Sequence, residues 1–257
     1  MKRILTILLI FVLIIVGAYI ATILDINPPQ KKVRPLGRLY LFESYYGKYS
    51  AKSPEVVTSI VWDYRGLDTI FEVTVFFLAI MGGLTIFRIE KREKEKIKDL
   101  KIKYSGGLTI IVKIVTKLLT VMIVAVSASI ALHGHLTPGG GFQGGTALAI
   151  APLLILVAYS REVLEKHGLT YIKAVLIRSV SLLCILVIVF LPFIHGYYLL
   201  QNQPFYPVKV FGQLISGSLF FYNFFDYIAI GMGFTAIFLY LSIPEKIYRR
   251  IIEVSKG

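Results

Sequence analysis

The stretch His133-Gly134-His135-Leu136-Thr137-Pro138-Gly139-Gly140-Gly141-Phe142-Gln143-Gly144-Gly145 lies between two long apolar runs. It sets two imidazoles, a proline and a cluster of glycines at one edge of a transmembrane hairpin. In hydrocarbon, irregular backbone is tolerated only where protein or a water-filled cavity covers it. Titratable groups at that position point to an ion pathway. Pro138, Gly139, Gly140 and Gly141 are expected to form a sharp turn that exposes backbone amides. Gly144 and Gly145, with Ala147 and Ala149, then let a neighbouring helix pack closely. The run is not a Walker loop, because no Gly-Lys-Ser/Thr follows, and no strand precedes it as a dinucleotide fingerprint would require.

The rest of the chain agrees with a membrane setting. Hydrophobic residues make up 56% of the 257, and the mean hydropathy is +0.73. Runs of about 20 apolar residues each suffice to cross a hydrocarbon core of about 30 Å. The expected fold is all-α and polytopic, with six spans: Ile4–Ile23, Asp68–Phe87, Gly107–Leu132, Phe142–Ser160, Lys173–His195 and Phe224–Ile243. Met1-Lys2-Arg3 before an apolar run could start a secretory signal. The run exceeds a usual signal core and no small-x-small site follows, so a retained first helix is favoured. A net charge of +13 raises the question of nucleic acid. Its basic residues sit in loops with few aromatic residues among them, so topology and anionic lipid explain them better. The single cysteine, Cys184, excludes an internal disulfide and any cysteine-rich metal or iron–sulfur site.

Lysine and arginine asymmetry orients the spans in the plasma membrane. With the N-terminus inside, Arg88 to Lys103, Arg161, Lys166, Lys246, Arg249 and Arg250 are inside as well, which puts both termini in the cytoplasm. The stretch Leu24–Leu67 is the exception, with Lys31, Lys32, Arg34, Arg38, Lys48 and Lys52 outside. The segment Arg88–Lys103 alternates in charge at helical spacing and reads as an exposed helical extension. It divides the chain into a two-span part, residues 1–103, and a four-span part, residues 104–257. No internal repeat relates them.

Several polar groups lie within or beside the spans. Asp68 and Glu72 are one helical turn apart. Asp68 reads as an interfacial cap with Arg65 as its partner, or as part of an ion path. Glu72 lies a turn deeper among Phe71, Val73, Val75, Phe76 and Phe77, so it must be protonated, paired or wet. Lys113 sits near the edge of its span and snorkels. Lys117 lies about ten residues in, or about 15 Å, where snorkelling competes with a relay or a buried ion pair. His133 and His135 could pass protons or simply bond carbonyls in the turn. Two apart on a helix they diverge, which disfavours a shared metal. Arg178 is expected to snorkel. His195 and Asp226 are placed near the outer face, with Asp226 either a helix cap or a cation ligand at an entrance.

The run from Gly134 to Gly145 resembles the signature of the MrpB (MnhB) subunit family of multisubunit sodium/proton antiporters. Leu219-Phe220-Phe221-Tyr222-Asn223-Phe224-Phe225-Asp226-Tyr227-Ile228-Ala229-Ile230-Gly231 is similar to that family's last helix. The likeness covers about Tyr104 to the end. Asp63-Tyr64-Arg65-Gly66-Leu67-Asp68-Thr69, followed by Glu72, resembles the tail of the large MrpA subunit, carried in some archaeal hydrogenases by a small MbhE-type subunit. That family usually has glycine where Phe71 stands here. The chain thus resembles an MbhE-like hairpin fused to an MrpB-like four-helix unit.

The resemblance implies an accessory subunit of a large assembly, alongside MrpA-, MrpC- and MrpD-like partners. Hydrogenase-like membrane and peripheral subunits join them in membrane-bound hydrogenases and sulfane reductases. It implies no cofactor in this chain, with sodium ions and protons as transported ions and nickel–iron or iron–sulfur centres only in partners. Glu72 matches the acidic residue of the MrpA-tail ion path, and His135 and Asp226 match motif positions of the MrpB-like part. Lys117 and His133 are candidates on physical grounds alone. The expected mechanism has Glu72 and Lys117 exchanging protons along a hydrated path, with His133, His135 and Asp226 at its outer mouth. No group suggests covalent catalysis. The competing readings are a purely structural scaffold, and a self-contained transporter, which would need repeats that are absent.

Overall fold

The computed structural model describes residues 2–23, 33–47, 50–86 and 108–242. The charged segment 88–103 and Lys31, Lys32, Lys48, Lys246, Arg249 and Arg250 lie outside the described residues, as do Phe87, Gly107 and Ile243. The chain forms two units, Met1–Leu39 and Tyr40–Gly257.

The first unit holds helix α1, Lys2–Ile23, apolar all round and with nearly every described side chain exposed. A helix of that composition is stable only against lipid or other protein. Helix α2, Pro35–Tyr46, begins in this unit, with proline at the position where a missing amide costs nothing.

The second unit is a bundle of five long helices: α4, Gly66–Ile86; α5, Ile110–Leu132; α6, Gly141–Ala158; α8, Tyr171–Ile194; and α9, Ser218–Leu241. With α1 they make six helices, among the described residues, long and apolar enough to cross a membrane, in the order expected. Short helices α3, Val56–Ser59, and α7, Arg161–Lys166, flank the bundle, and a π-helical turn over Ile60–Tyr64 leads into α4. Strands β1, Lys209–Val210, and β2, Gln213–Leu214, make a small antiparallel hairpin in the last loop.

Helix α9 is the axis of the unit. It packs along α6 and α8 and touches α4 and α5, while α5 also lies along α6. Small residues permit this: Ala229, Gly231, Gly233, Thr235 and Ala236 are all buried on α9. One apolar core joins Trp62, Val73, Ile185, Val189, Leu219 and Tyr222, and a second joins Ile80, Leu84, Ala174, Ala236 and Tyr240.

Helix boundaries match the sequence reading to within three residues, with one exception. The last helix starts at Ser218, six residues before the expected Phe224. Asn202 fixes this start: its Oδ1 accepts from the Ser218 amide at 3.0 Å, just after Gly217 turns the chain at φ +67°. That cap comes from a residue distant in sequence, so local composition does not reveal it.

Candidate functional site

A cavity of about 190 Å³ lies where α4, α6 and α9 meet. At about 30 Å³ per molecule it has room for several waters. Glu72 comes to it from α4, Asp226 and Asn223 from α9, and Gln143 and the Gly139–Gly141 backbone from the turn before α6. Thr58 and Trp62 close it on the side of the π-helical turn.

Backbone geometry explains how these groups converge. Gly140 holds φ at +144°, a conformation that favours glycine. A Cβ on Gly141 would stand 2.7 Å from the Asp226 Cβ and 2.8 Å from its Oδ2, so glycine lets the start of α6 rest on the carboxylate. The Gly141 amide donates to Asn223 Oδ1 at 3.2 Å, and Trp62 Nε1 donates to the same oxygen at 3.2 Å. The positive end of α6 therefore faces Asp226, a favourable setting for a negative charge.

Asp226 is 3% exposed, and its Oδ1 has no hydrogen-bond partner among the described residues. The Nδ2 of Asn223, 1% exposed, is likewise without a partner. Buried polar atoms are ordinarily satisfied. Two residues with orphaned buried groups line one cavity, which makes it a candidate for a hydrated or cation-holding site. Glu72 is exposed at the open edge of the same cavity.

The loop after α5 is tied down from the segment before α4. Thr58 Oγ1 donates to the Gly134 carbonyl at 2.5 Å, and Ser53 Oγ donates to that of His135 at 2.5 Å. His135, 2% exposed, donates from Nε2 to the Leu214 carbonyl at 2.8 Å and meets Phe220 edge-on. Burial, first, and then the neighbouring His133 hold its pKa below the ordinary 6.5, against the opposing pull of the Leu214 bond. A depressed imidazole pKa means the unfolded chain takes up protons first. The stabilisation is therefore complete above 6.5 and is lost as pH falls below it. Thermal melts of the purified complex should show that loss, and His135→Gln should flatten the profile over the same range.

The structure separates the expected site residues into groups. Glu72 and Asp226 share the cavity, and Gly139, Gly140 and Gly141 line it. Gly144 and Gly145 lie beyond it, against α5 and α9 respectively. Pro138 is exposed in the turn. Asp68 is exposed and paired with Arg65, whose Nε lies 2.7 Å from its Oδ2. Asp226 is not a helix cap, because α9 begins eight residues earlier, and it does not bracket the last loop with His195. His195 ends α8 and bonds the Leu191 carbonyl at 2.9 Å.

Three further expectations change. Lys117 is exposed on the outward face of α5, off the stripe of Thr116, Ser127 and Ala131 that faces α6, and shares no cavity with Glu72. His133 is exposed and bonds the Ser129 carbonyl of its own helix at 3.0 Å, so neither histidine lines the cavity. Arg178 does not snorkel: it is 1% exposed, with its guanidinium 4.7 Å from the centre of the Phe77 ring. Sequence reading also missed Asn223, Trp62 and Asp63. The signal for Asn223 was its place three residues before Asp226, on the same helical face. Asp63, in the π-helical turn beside Trp62, has its pKa pushed up to about 6 by burial.

A family model described as a domain related to the MnhB subunit of Na+/H+ antiporters matches residues 111–236. This stretch is similar to that domain. It holds the glycine turn, α6, α8 and nearly all of α9, including Asp226. An uncharacterized protein of Methanocaldococcus jannaschii is 31% identical over 116 residues, which is 41% of this chain and 44% of that protein. The chain therefore spans less than half the length of this curated relative. A chain of the membrane-bound sulfane sulfur reductase, an archaeal respiratory membrane complex, superposes with a TM-score of 0.71 at 26% identity, covering 94% of this chain and 98% of that one. A chain of the Mrp complex from Dietzia sp. DQ12-45-1b superposes with a TM-score of 0.67 at 18% identity, over 92% of this chain and 26% of that one. The last likeness is one of fold. The chain is a multi-pass membrane protein whose residues 111–236 are similar to the MnhB-related domain, and Glu72 on α4 lies outside the matched stretch.

Proposed function

We propose that this chain is an accessory subunit of a sodium/proton antiporter module in a complex I-like respiratory assembly. Its cavity between Glu72 and Asp226 would hold the translocated ion or proton. The observation that carries this reading is the cavity itself. It brings a carboxylate from α4 together with a buried, unsatisfied carboxylate of the matched stretch. The superposition on a sulfane reductase chain at nearly full length of both chains supports placement in a redox-linked complex.

The mechanism follows from burial and access. Glu72 stands at the open edge, where an ion or proton arrives from a neighbouring subunit or from water. Asp226 is the inner acceptor, its negative charge favoured by the first turn of α6. Since Lys117 points away from the cavity, it is assigned no relay to Glu72. It faces lipid or a partner helix instead. His135 serves as a clamp on the glycine turn. Redox centres, and any enzymatic step, belong to partner subunits of the antiporter and hydrogenase-like types. The termini are assigned to the cytoplasm from the charge asymmetry of the loops.

Sodium-dependent proton movement in vesicles from a Glu72→Gln strain tests this. A fall of at least about tenfold is the expected result with the complex still assembled, smaller than the roughly 10²–10⁴-fold of an essential proton-transfer group because Glu72 stands at the open edge. Unchanged pumping would make the chain a scaffold between antiporter and redox modules.

A further inference from the structure

Arg178 is a cation the cavity account does not use. It is the eighth residue of α8, about 10 Å along the helix from its start. Its side chain stays inside the bundle. Nη2 donates to the Phe76 carbonyl at 3.4 Å, the guanidinium lies over the Phe77 and Phe76 rings at 4.7 and 5.8 Å, and Nη1 has no partner among the described residues. Gly233 of α9 makes the room, since a Cβ there would stand 3.3 Å from the arginine's Cδ and Nε. Ion pairs among the described residues are Arg65–Asp68 and Arg161–Glu165, and Arg178 has none.

A guanidinium keeps its proton under all ordinary conditions. An unpaired one deep in a membrane protein is costly and marks function by default. Its position relative to the cavity gives that function. Phe76 lines the cavity on one side and carries the carbonyl that Arg178 holds on the other. The Phe76 ring also packs against Phe142 and Phe234 at 5.8 and 5.2 Å, which makes an aromatic floor. Along α4 the order is Glu72, Phe76, then Ile80 at the arginine. Along α9 it is Asp226, Ile230, then Gly233 at the arginine.

We propose that Arg178 is a fixed positive charge that closes the floor of the Glu72–Asp226 cavity, so that a cation admitted there cannot pass beyond Phe76. The inference rests on the ion-holding reading of that cavity. A barrier of this kind keeps exchange coupled, because an ion must leave by the edge through which it entered or through a partner at that edge. At a separation of about 10 Å and an effective dielectric constant of about 20, removing one unit charge changes a cation's passage rate by roughly tenfold.

The test is passive sodium entry into de-energised vesicles that carry the whole complex, driven by an inside-negative potential. Arg178→Gln should leak roughly tenfold faster than the unaltered complex, the change that loss of the charge implies. Arg178→Lys, which keeps the charge, should stay tight. Arg178→Gln vesicles as tight as the unaltered ones would overturn the proposal, as would an equal leak through Arg178→Lys. Should the glutamine variant fail to assemble, a density map of the unaltered complex decides. Dry packing between Phe76 and Arg178 is expected there. Ordered solvent running past Phe76, or a partner's carboxylate on the guanidinium, would refute the barrier. Failure of the underlying ion-site reading registers separately, as unchanged antiport in Asp226→Asn.

Discussion

Asp226→Asn is expected to abolish sodium-coupled proton exchange while leaving the complex intact in amount and composition. The substitution keeps the shape of the side chain, and a single exchange of oxygen for nitrogen leaves the Gly141 contact in place. What it removes is the negative charge, on a residue that lines the cavity and whose Oδ1 has no partner among the described residues. Loss of a positioned proton-transfer group lowers rate by roughly 10²–10⁴-fold. The effect should exceed that of Glu72→Gln, because Glu72 stands at the open edge, where water or a partner can substitute for it. Antiport rates in vesicles, normalised to complex content, give the comparison. Equal, mild losses in both variants would argue that the carboxylates tune affinity and carry no ion.

Gly144→Leu is expected to act in the opposite way, removing the complex itself. A Cβ at this glycine would stand 2.7 Å from the Ser127 carbonyl oxygen and 2.8 Å from the Ala131 Cβ, both on α5. The adjacent Gly145 meets α9, with a Cβ placed 2.7 Å from the Ile230 Cβ and 2.8 Å from the Tyr227 carbonyl oxygen. Helix α6 is thus wedged between two neighbours through consecutive glycines. Overpacking a core commonly costs about 1–3 kcal/mol. Here the obstruction is backbone, which cannot rotate away, so the cost should exceed that range. Native gels should show the assembled band lost for Gly144→Leu and weakened for Gly144→Ala. A full-strength band with leucine would contradict the close-packed seam.

The same physics explains which parts of the molecule could be read from sequence. Six spans follow from apolar length alone, and the glycine seam follows from small residues just after a turn. Glu72 and Asp226 stand out because an acid among phenylalanines has to be explained. Lys117 stood out for the same reason, yet depth says nothing about which face of a helix meets its neighbours. In a span apolar on every side, periodicity cannot distinguish the face toward lipid from the face toward protein. Arg178 shows the limit most clearly. Its depth allows snorkelling, but Gly233, more than 50 residues away, leaves room beside it, and Phe76 and Phe77 of α4 hold the guanidinium inside. Asn223 and Trp62 likewise gain meaning only once the Gly141 amide and the Asn223 oxygen are seen together.

The most direct measurement is carbodiimide labelling of the intact complex, followed by mass analysis of the peptides containing residues 72 and 226. Carbodiimides capture carboxyl groups that are protonated in apolar surroundings, so a cation seated between the two acids should exclude the reagent. Labelling at Asp226 or Glu72 that slows as sodium rises, with potassium much less effective, is the expected result. Labelling indifferent to sodium, or none at either residue in a complex that still pumps, would place the ion path elsewhere.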